Sequence, residues 1–383
     1  MNWSIPTLFM ATYPSRPRWL WWGVALLIML VGGFFLAISL LPDDELQDRT
    51  HLLLVAVAGP FLLWTLAIGG RLMAYDVVVT RIDARNETVL VRQQQWHNWA
   101  CQSLELLAWG RQTGLGESEL AQIVGDKPPV NSGNCLSLPT LNGISEWQGR
   151  AQLINSLLQP VSQYWQTHSL SASLTLLWQV SAESQNAADW QTLITRAAET
   201  LSLPLNSIES FPHTDFSEWL SAAWTSPFAG VQCLIFIDTA DNPGSSEEAV
   251  SLLLAPADLC KQWKLTSKAS LLRPLLAPAA TLSQALKLQC EQQISAEKLT
   301  TGWYCRLTEV QAEKVPLACI EQETGFTSGQ LYATDSVLGL PGLSRHAVMI
   351  TLAAECRGDH LLFTRHQEQF LLQQLSCKSE GTT

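Results

Sequence analysis

The chain has no Cys-x-x-Cys pair, no Cys/His cluster at zinc spacing, and no GxSxG, HExxH or GxGxxG. Those absences remove the usual sequence signatures of structural zinc, serine hydrolases, zinc proteases and dinucleotide sites. The stretch GLGESE, Gly114–Glu119, lacks the Lys-Ser/Thr of a phosphate loop. Neither a metal site nor a cofactor is expected. Clustered basic residues are missing too: 23 Lys and Arg stand against 34 Asp and Glu, a net charge of -11. Phosphate backbones are held by clustered cations, so a nucleic-acid partner is not expected.

What the chain does have is cysteine without pattern and apolar sequence without charge. Its nine cysteines are scattered and odd in number. Unpaired cysteines of this kind fit a reducing compartment, where they serve as small apolar residues. Two long runs carry no charged side chain: Trp19–Leu41 and Leu52–Gly70. At about 1.5 Å per residue, each covers a hydrocarbon core of about 30 Å as a helix. Two membrane spans are therefore expected, near 19–41 and 52–73, with a kink at Gly59-Pro60. The first run is too long for a signal-peptide core and a second follows at once, which favours an uncleaved hairpin. Sixteen Trp is a high count, and several flank these runs, as suits a membrane interface.

The loop between the runs, Pro42–His51, holds four acids and one arginine. Arg16 and Arg18 precede the hairpin, and Arg71, Arg81, Arg85 and Arg92 follow it. Positive residues stay inside, so both termini are expected in the cytoplasm. Neither span has a central charge that would mark an ion or proton path, and a role as anchor is preferred to transport.

Residues 1–75 thus form the terminal segment and hairpin, 76–150 a juxtamembrane linker region, and 151–383 a soluble domain. Asp76–Gln93 reads as a β-hairpin, with a continued helix as the alternative. Gln95–Gly110 reads as a helix, either in the core or on the membrane surface. Val124–Gly143 is rich in Gly, Pro, Asn and Ser and reads as a loop or boundary. From Ala151 onward, amphipathic helices alternate with apolar strands. Helices are expected over 151–166, 189–203 (with Asp189 as cap), 218–226, 281–293 and 347–356. Strands are expected over 172–181, 231–238 and 249–256, with 359–366 as the last. This is a layered α/β pattern with a covered sheet.

Leu234–Pro256, LIFIDTADNPGSSEEAVSLLLAP, resembles the strand, acidic small-residue turn and second strand of ketoacyl synthases. In that family the turn reads roughly Gly-Glu-Ala-Ala; here it is Ser246, Glu247, Glu248, Ala249 and Val250. Asp335–Ala354, DSVLGLPGLSRHAVMITLAA, resembles the later glycine-rich loop and Ala-rich helix of the same thiolase-like fold. The resemblance covers roughly residues 150 to 375 and implies a thiolase-like α/β domain, expected to be smaller than a complete two-halved enzyme. It also implies a nucleophilic cysteine at a helix start and a histidine in the late loop. Ser169–Gly230 holds no cysteine, Cys233 falls inside an apolar strand, and Leu340 stands where the histidine would.

Two histidines remain as candidates. His346, beside Arg345 at a helix start, reads as an anion contact or as a cap residue without a task, and the second is preferred. His213 near Asp215, in FPHTDF, reads as a turn. No catalytic residue is assigned. Membrane-anchored, degenerate thiolase-like proteins resemble accessory components of type VI secretion machinery. The expected function is a non-catalytic inner-membrane scaffold, partnered by the bilayer and by another protein. The alternative is an acyl-group-handling enzyme with an unfamiliar site.

Overall fold

Both apolar runs are helical in the computed structural model, which describes residues 3, 8–40, 49–116, 119–139, 146–168, 173–181, 187–226, 228–239 and 244–378. The chain divides into two compact units, one of Ile5–Trp96 and one of Met1–Ser4 with His97–Thr383.

In the first unit, α1 spans Trp19–Leu40. A short helix, Arg49–Leu53, leads through a π-helical turn, Leu54–Ala58, into α2, Gly59–Ala100. The expected break at Gly59-Pro60 is thus a π turn immediately before the proline, a local widening that absorbs the missing N–H. Gly33 of α1 meets Pro60: a Cβ there would lie 2.3 Å from the proline Cγ, so only glycine fits. Trp64 Nε1 donates to Trp22 O at 2.8 Å, tying the two helices. Both helices are long and apolar enough to cross a membrane. Large apolar side chains such as Leu20, Leu27, Phe35, Leu62 and Leu66 face outward. Most of the acidic loop, residues 41–48, lies outside the described residues.

α2 does not stop at residue 73. Asp76–Gln93 continues it, and the β-hairpin reading is corrected to the helical alternative. Extending an existing helix needs no new nucleus, and these mostly exposed residues have no strand to pair with among the described residues. Residues before α1 lie against this polar stretch. Ala11 N donates to Asn86 Oδ1 at 2.8 Å, and Tyr13 Oη donates to Asp83 Oδ1 at 2.6 Å.

The second unit is an α/β fold built twice. The first half runs β1 (Ser103–Thr113), α3 (Glu146–Thr167), β2 (Leu174–Val180), α4 (Ala187–Thr200), β3 (Leu205–Ser210), α5 (Phe216–Thr225), β4 (Val231–Asp238) and β5 (Glu248–Pro256). The second runs β6 (Ala269–Leu272), a short β7 (Leu275–Ala277), α6 (Leu282–Gln292), β8 (Leu299–Cys305), α7 (Lys314–Glu321), β9 (Leu331–Ala333), α8 (Arg345–Glu355), β10 (Asp359–His366) and β11 (Gln369–Cys377). The strand order is β3-β2-β4-β5-β1 followed by β6-β11-β10-β8-β9, so each half repeats the other's order, and β1 pairs antiparallel with β6 where they join. In each half the last strand runs antiparallel to its neighbours while the outer pairs are parallel. The expectation of a domain smaller than a two-halved one is corrected: both halves are present.

β1 also corrects the helix expected over Gln95–Gly110. Only residues up to Ala100 are helical, and Ser103–Gly110 enters the sheet between β5 and β6. A strand buried on both faces reads as a continuous apolar run, which periodicity does not separate from a buried helix. The stretch read as linker therefore supplies an inner strand. Residues 359–366 are not the last strand, since β11 follows.

Side chains alternate across each strand. Along β4, Cys233, Ile235 and Ile237 join α3 and α4 in one cluster, while Leu234 and Phe236 face a central one. That central cluster gathers α5 and α8 with strands of both halves, including Leu252, Trp303, Leu362 and Leu371. A third cluster holds α6 and α7 on the far face of the second half. Ten successive residues of α8, Arg345 to Ala354, are buried, as suits a helix in a middle layer.

Candidate functional site

The first turns of α5 and α8 meet inside the middle layer. Asp215 caps α5: its backbone is extended and its carboxylate accepts from Glu218 N at 3.0 Å. Arg306 Nη1 donates to the other Asp215 oxygen at 3.0 Å. Burial alone would raise the Asp215 carboxyl, but Arg306 and the Glu218 amide hold it below the usual range. Two residues on, Ser217 Oγ lies 2.9 Å from His346 Nδ1. The Phe216 ring stands edge-on to the imidazole at 5.1 Å. Ser217 and His346 are fully buried, and His346 Nε2 has no hydrogen-bond partner. Burial pulls the His346 pKa down to about 3, so its imidazole is neutral at physiological pH.

One residue earlier in α8 stands a buried ion network. Asp238, at the end of β4, shares the face of Leu234 and Phe236 and so points into the middle layer. It accepts from Leu343 N at 3.1 Å, Ser344 N at 2.9 Å and Ser344 Oγ at 2.5 Å, satisfying amides at the helix start. A Cβ on Gly342 would lie 2.2 Å from Asp238 Oδ2, so the cap requires glycine there. Arg345 grips Glu248 through Nε, at 2.7 Å, and Nη2. Its Nη1 reaches Asp335 Oδ1 and Gly339 O, both at 2.9 Å. Two carboxylates thus hold the guanidinium, and Asp238 lies beside them on Ser344. Burial pushes the Glu248 pKa up to about 7; Arg345 opposes that rise, and Asp238 and Asp335 add to it. Asp335 is raised as well, chiefly by burial.

The late loop is bound on both sides. Leu340 N donates to Asn134 O at 2.9 Å, and Ser246 N donates to Leu340 O at 2.8 Å. Asn131 fastens to Ser336 O and Val337 O, each at 2.7 Å. Leu138 N donates to the Glu247 carboxylate at 2.6 Å. Gly339 sits at φ +78°, with Asn134 O 2.3 Å from where a Cβ would be. The Gly-, Pro- and Asn-rich stretch read as a loop is therefore a strap across the late loop and the Ser246–Glu247 turn.

The remaining sequence candidates separate from this centre. Cys233 lies in β4, where burial pushes its thiol up to about 12. His213 packs edge-on against Phe211 at 5.9 Å, in the turn before α5. Glu119, in the GLGESE stretch, pairs with Arg111 and Thr113. Among the described residues, no three His, Cys, Asp or Glu side chains converge as metal ligands.

Sequence reading missed the Ser217–His346 pair and the Arg345 network. One signal was present: Asp238, Glu248 and Arg345 interrupt otherwise apolar runs, and charges buried in such runs need partners. A neutral imidazole of such low pKa is a poor general base, and its Nε2 has no hydrogen-bond partner among the described residues. The arrangement is suited to holding the N-termini of two buried helices together.

No protein-family profile matches the chain, and no curated protein matches it. Solved structures do. A ketosynthase from module 6 of the bacillaene synthase of Bacillus subtilis 168 is 8% identical, with a TM-score of 0.51, covering 73% of this chain and 73% of that one. A beta-ketoacyl synthase from Burkholderia phymatum STM815 is 10% identical, with a TM-score of 0.48, covering 73% of this chain and 100% of that one. A ketosynthase solved with its type II acyl-carrier protein is also 10% identical, with a TM-score of 0.48, over 72% of this chain and 100% of that one. The α/β unit has the thiolase-like fold of ketosynthases, and at these identities the likeness concerns fold.

Proposed function

We propose that this chain is a membrane-anchored, non-catalytic scaffold that uses a thiolase-like domain to bind a protein partner. The observation that carries the reading is the start of α5. The ketoacyl-synthase resemblance implies a thiol at a helix start before the Ser246–Val250 turn, but Ser169–Gly230 holds no cysteine, and α5 within it opens with Asp215, Phe216 and Ser217, the last two buried in the middle layer beside a neutral His346. Leu340, where the resemblance implies a histidine, is held by its backbone on both sides. Covalent thioester chemistry needs an accessible activated nucleophile and a base of suitable pKa.

The outward apolar faces of α1 and α2 support a bilayer partner, and the arginine distribution supports both termini in the bacterial cytoplasm. The contacts of Ala11 and Tyr13 with α2 also favour one side for residues before and after the hairpin. A link to type VI secretion machinery belongs to this proposal and rests on the anchored, degenerate architecture alone. A highly active C-terminal alkaline phosphatase fusion would reverse the orientation.

The second reading, an acyl-handling enzyme with an unfamiliar site, draws on the Ser217–His346 contact. Incubating the full chain with a panel of acyl thioesters separates the two. The scaffold reading expects no turnover above the thioesters' own hydrolysis. Turnover lost in both Ser217→Ala and His346→Gln would establish the enzyme.

A further inference from the structure

The end of α5 remote from Ser217 borders a cavity of about 500 Å³. One wall is apolar and aromatic, with Leu104, Ala223, Trp224, Phe228 and Pro256. Arg273 lines the cavity as well. Its guanidinium lies 4.0 Å from the Trp99 ring and 4.7 Å from the Trp224 ring. It donates from Nε to Trp99 O at 3.1 Å and from Nη2 to Gln102 Oε1. Nη1 is left over, and no carboxylate pairs with this side chain among the described residues, although only 5% of it is exposed. Trp224 Nε1, a second donor on the wall, is buried without an acceptor.

A buried cation without an anion is an unusual feature, because burial without a partner is costly. The other charges around the cavity are already matched. Glu105 receives Lys378 at 2.9 Å along with Ser270 and Ser267, and Asp258 lies 3.8 Å from Lys261. One unmatched positive charge is left, which suits one negative charge better than the two of a phosphate monoester. A guanidinium fork also matches a planar carboxylate. The cavity's size, and a lining that combines apolar side chains with a few polar groups, are those of a small-molecule site.

We infer that this cavity binds a hydrophobic carboxylate, an acyl or aryl acid whose head meets Arg273 and whose body lies against Trp224 and Phe228. The site is separate from the Ser217–His346 centre and needs no chemistry there.

The test uses the full chain in lipid nanodiscs, titrated calorimetrically with 2-naphthoate and its neutral isostere 2-naphthamide. Empty nanodiscs supply the blank. Saturable binding of the acid is expected, with the amide at least about tenfold weaker. Ala257→Trp, which fills the cavity from its exposed rim, should abolish binding, and Arg273→Gln should weaken the acid to the level of the amide. Equal affinities for acid and amide, absence of saturable naphthoate binding, or binding that survives Ala257→Trp would each overturn the inference. The acid–amide comparison is made on the unaltered chain and stands even where a variant fails to fold.

Discussion

Arg345 directly balances the buried carboxylate of Glu248 and the half-buried one of Asp335, with Asp238 close by on Ser344. Removing one member of a buried ionic cluster leaves the others uncompensated. Arg345→Met is therefore expected to destabilise the domain by about 3–5 kcal/mol. Glu248→Gln, which keeps an acceptor and removes one excess charge, should cost less. Urea unfolding followed by tryptophan fluorescence measures both, and equal losses would contradict the charge account. His346 and Glu248 also set opposite pH dependences. The folded His346 pKa of about 3 lies below its ordinary 6.5, so between those values the unfolded chain binds more protons and stability rises with pH. The folded Glu248 pKa of about 7 lies above its ordinary 4.5, so across that interval the folded chain binds more protons and stability falls as pH rises. The two contributions oppose one another between 4.5 and 6.5. His346→Gln leaves the Glu248 slope alone, and stability should then fall by up to about 1.4 kcal/mol per pH unit as pH rises through that window. A slope unchanged from the unaltered chain would show that the imidazole is not buried and neutral.

At the scale of elements, β4 and β5 were legible because they are continuous apolar runs, and α4 and α8 because of their clear helical composition, whereas β3, β6, β7, β8, α7, β9 and β11 were not read at all. α5 and α6 were read within a few residues of their observed bounds. The misread elements are those whose partners lie far away in sequence. β1 pairs with β5 and β6, more than a hundred residues on, and its own pattern fits helix as well as strand. Asp76–Gln93 has β-branched residues, but the helix arriving from Gly59 outweighs their preference. Spin labels at Val77→Cys and Gln93→Cys, with exposed Cys135 replaced, test this directly. A continuous helix places the labelled backbones about 24 Å apart, at about 1.5 Å per residue. A hairpin would bring them to about 5 Å. The Ser217–His346 contact was beyond sequence reading for the same reason: its members are separated by 129 positions and join only when the two halves close on α5 and α8.

At the scale of the molecule, the resemblance found in two short stretches extends to a complete double arrangement. β1 and β6, the first strands of the two halves, lie side by side, and the helices α5 and α8 fill the layer between. That layer is occupied by aromatic rings, a neutral histidine and the Arg345 charge network. The central proposal is that this thiolase-like fold serves as a scaffold without an activated nucleophile. The most direct measurement is covalent labelling of the full chain with an acyl-thioester analogue, read by intact-protein and peptide mass spectrometry. The account predicts no stoichiometric adduct at Ser217 or at any of the nine cysteines. A single-site adduct at full stoichiometry, abolished by His346→Gln in a variant that still folds, would contradict it.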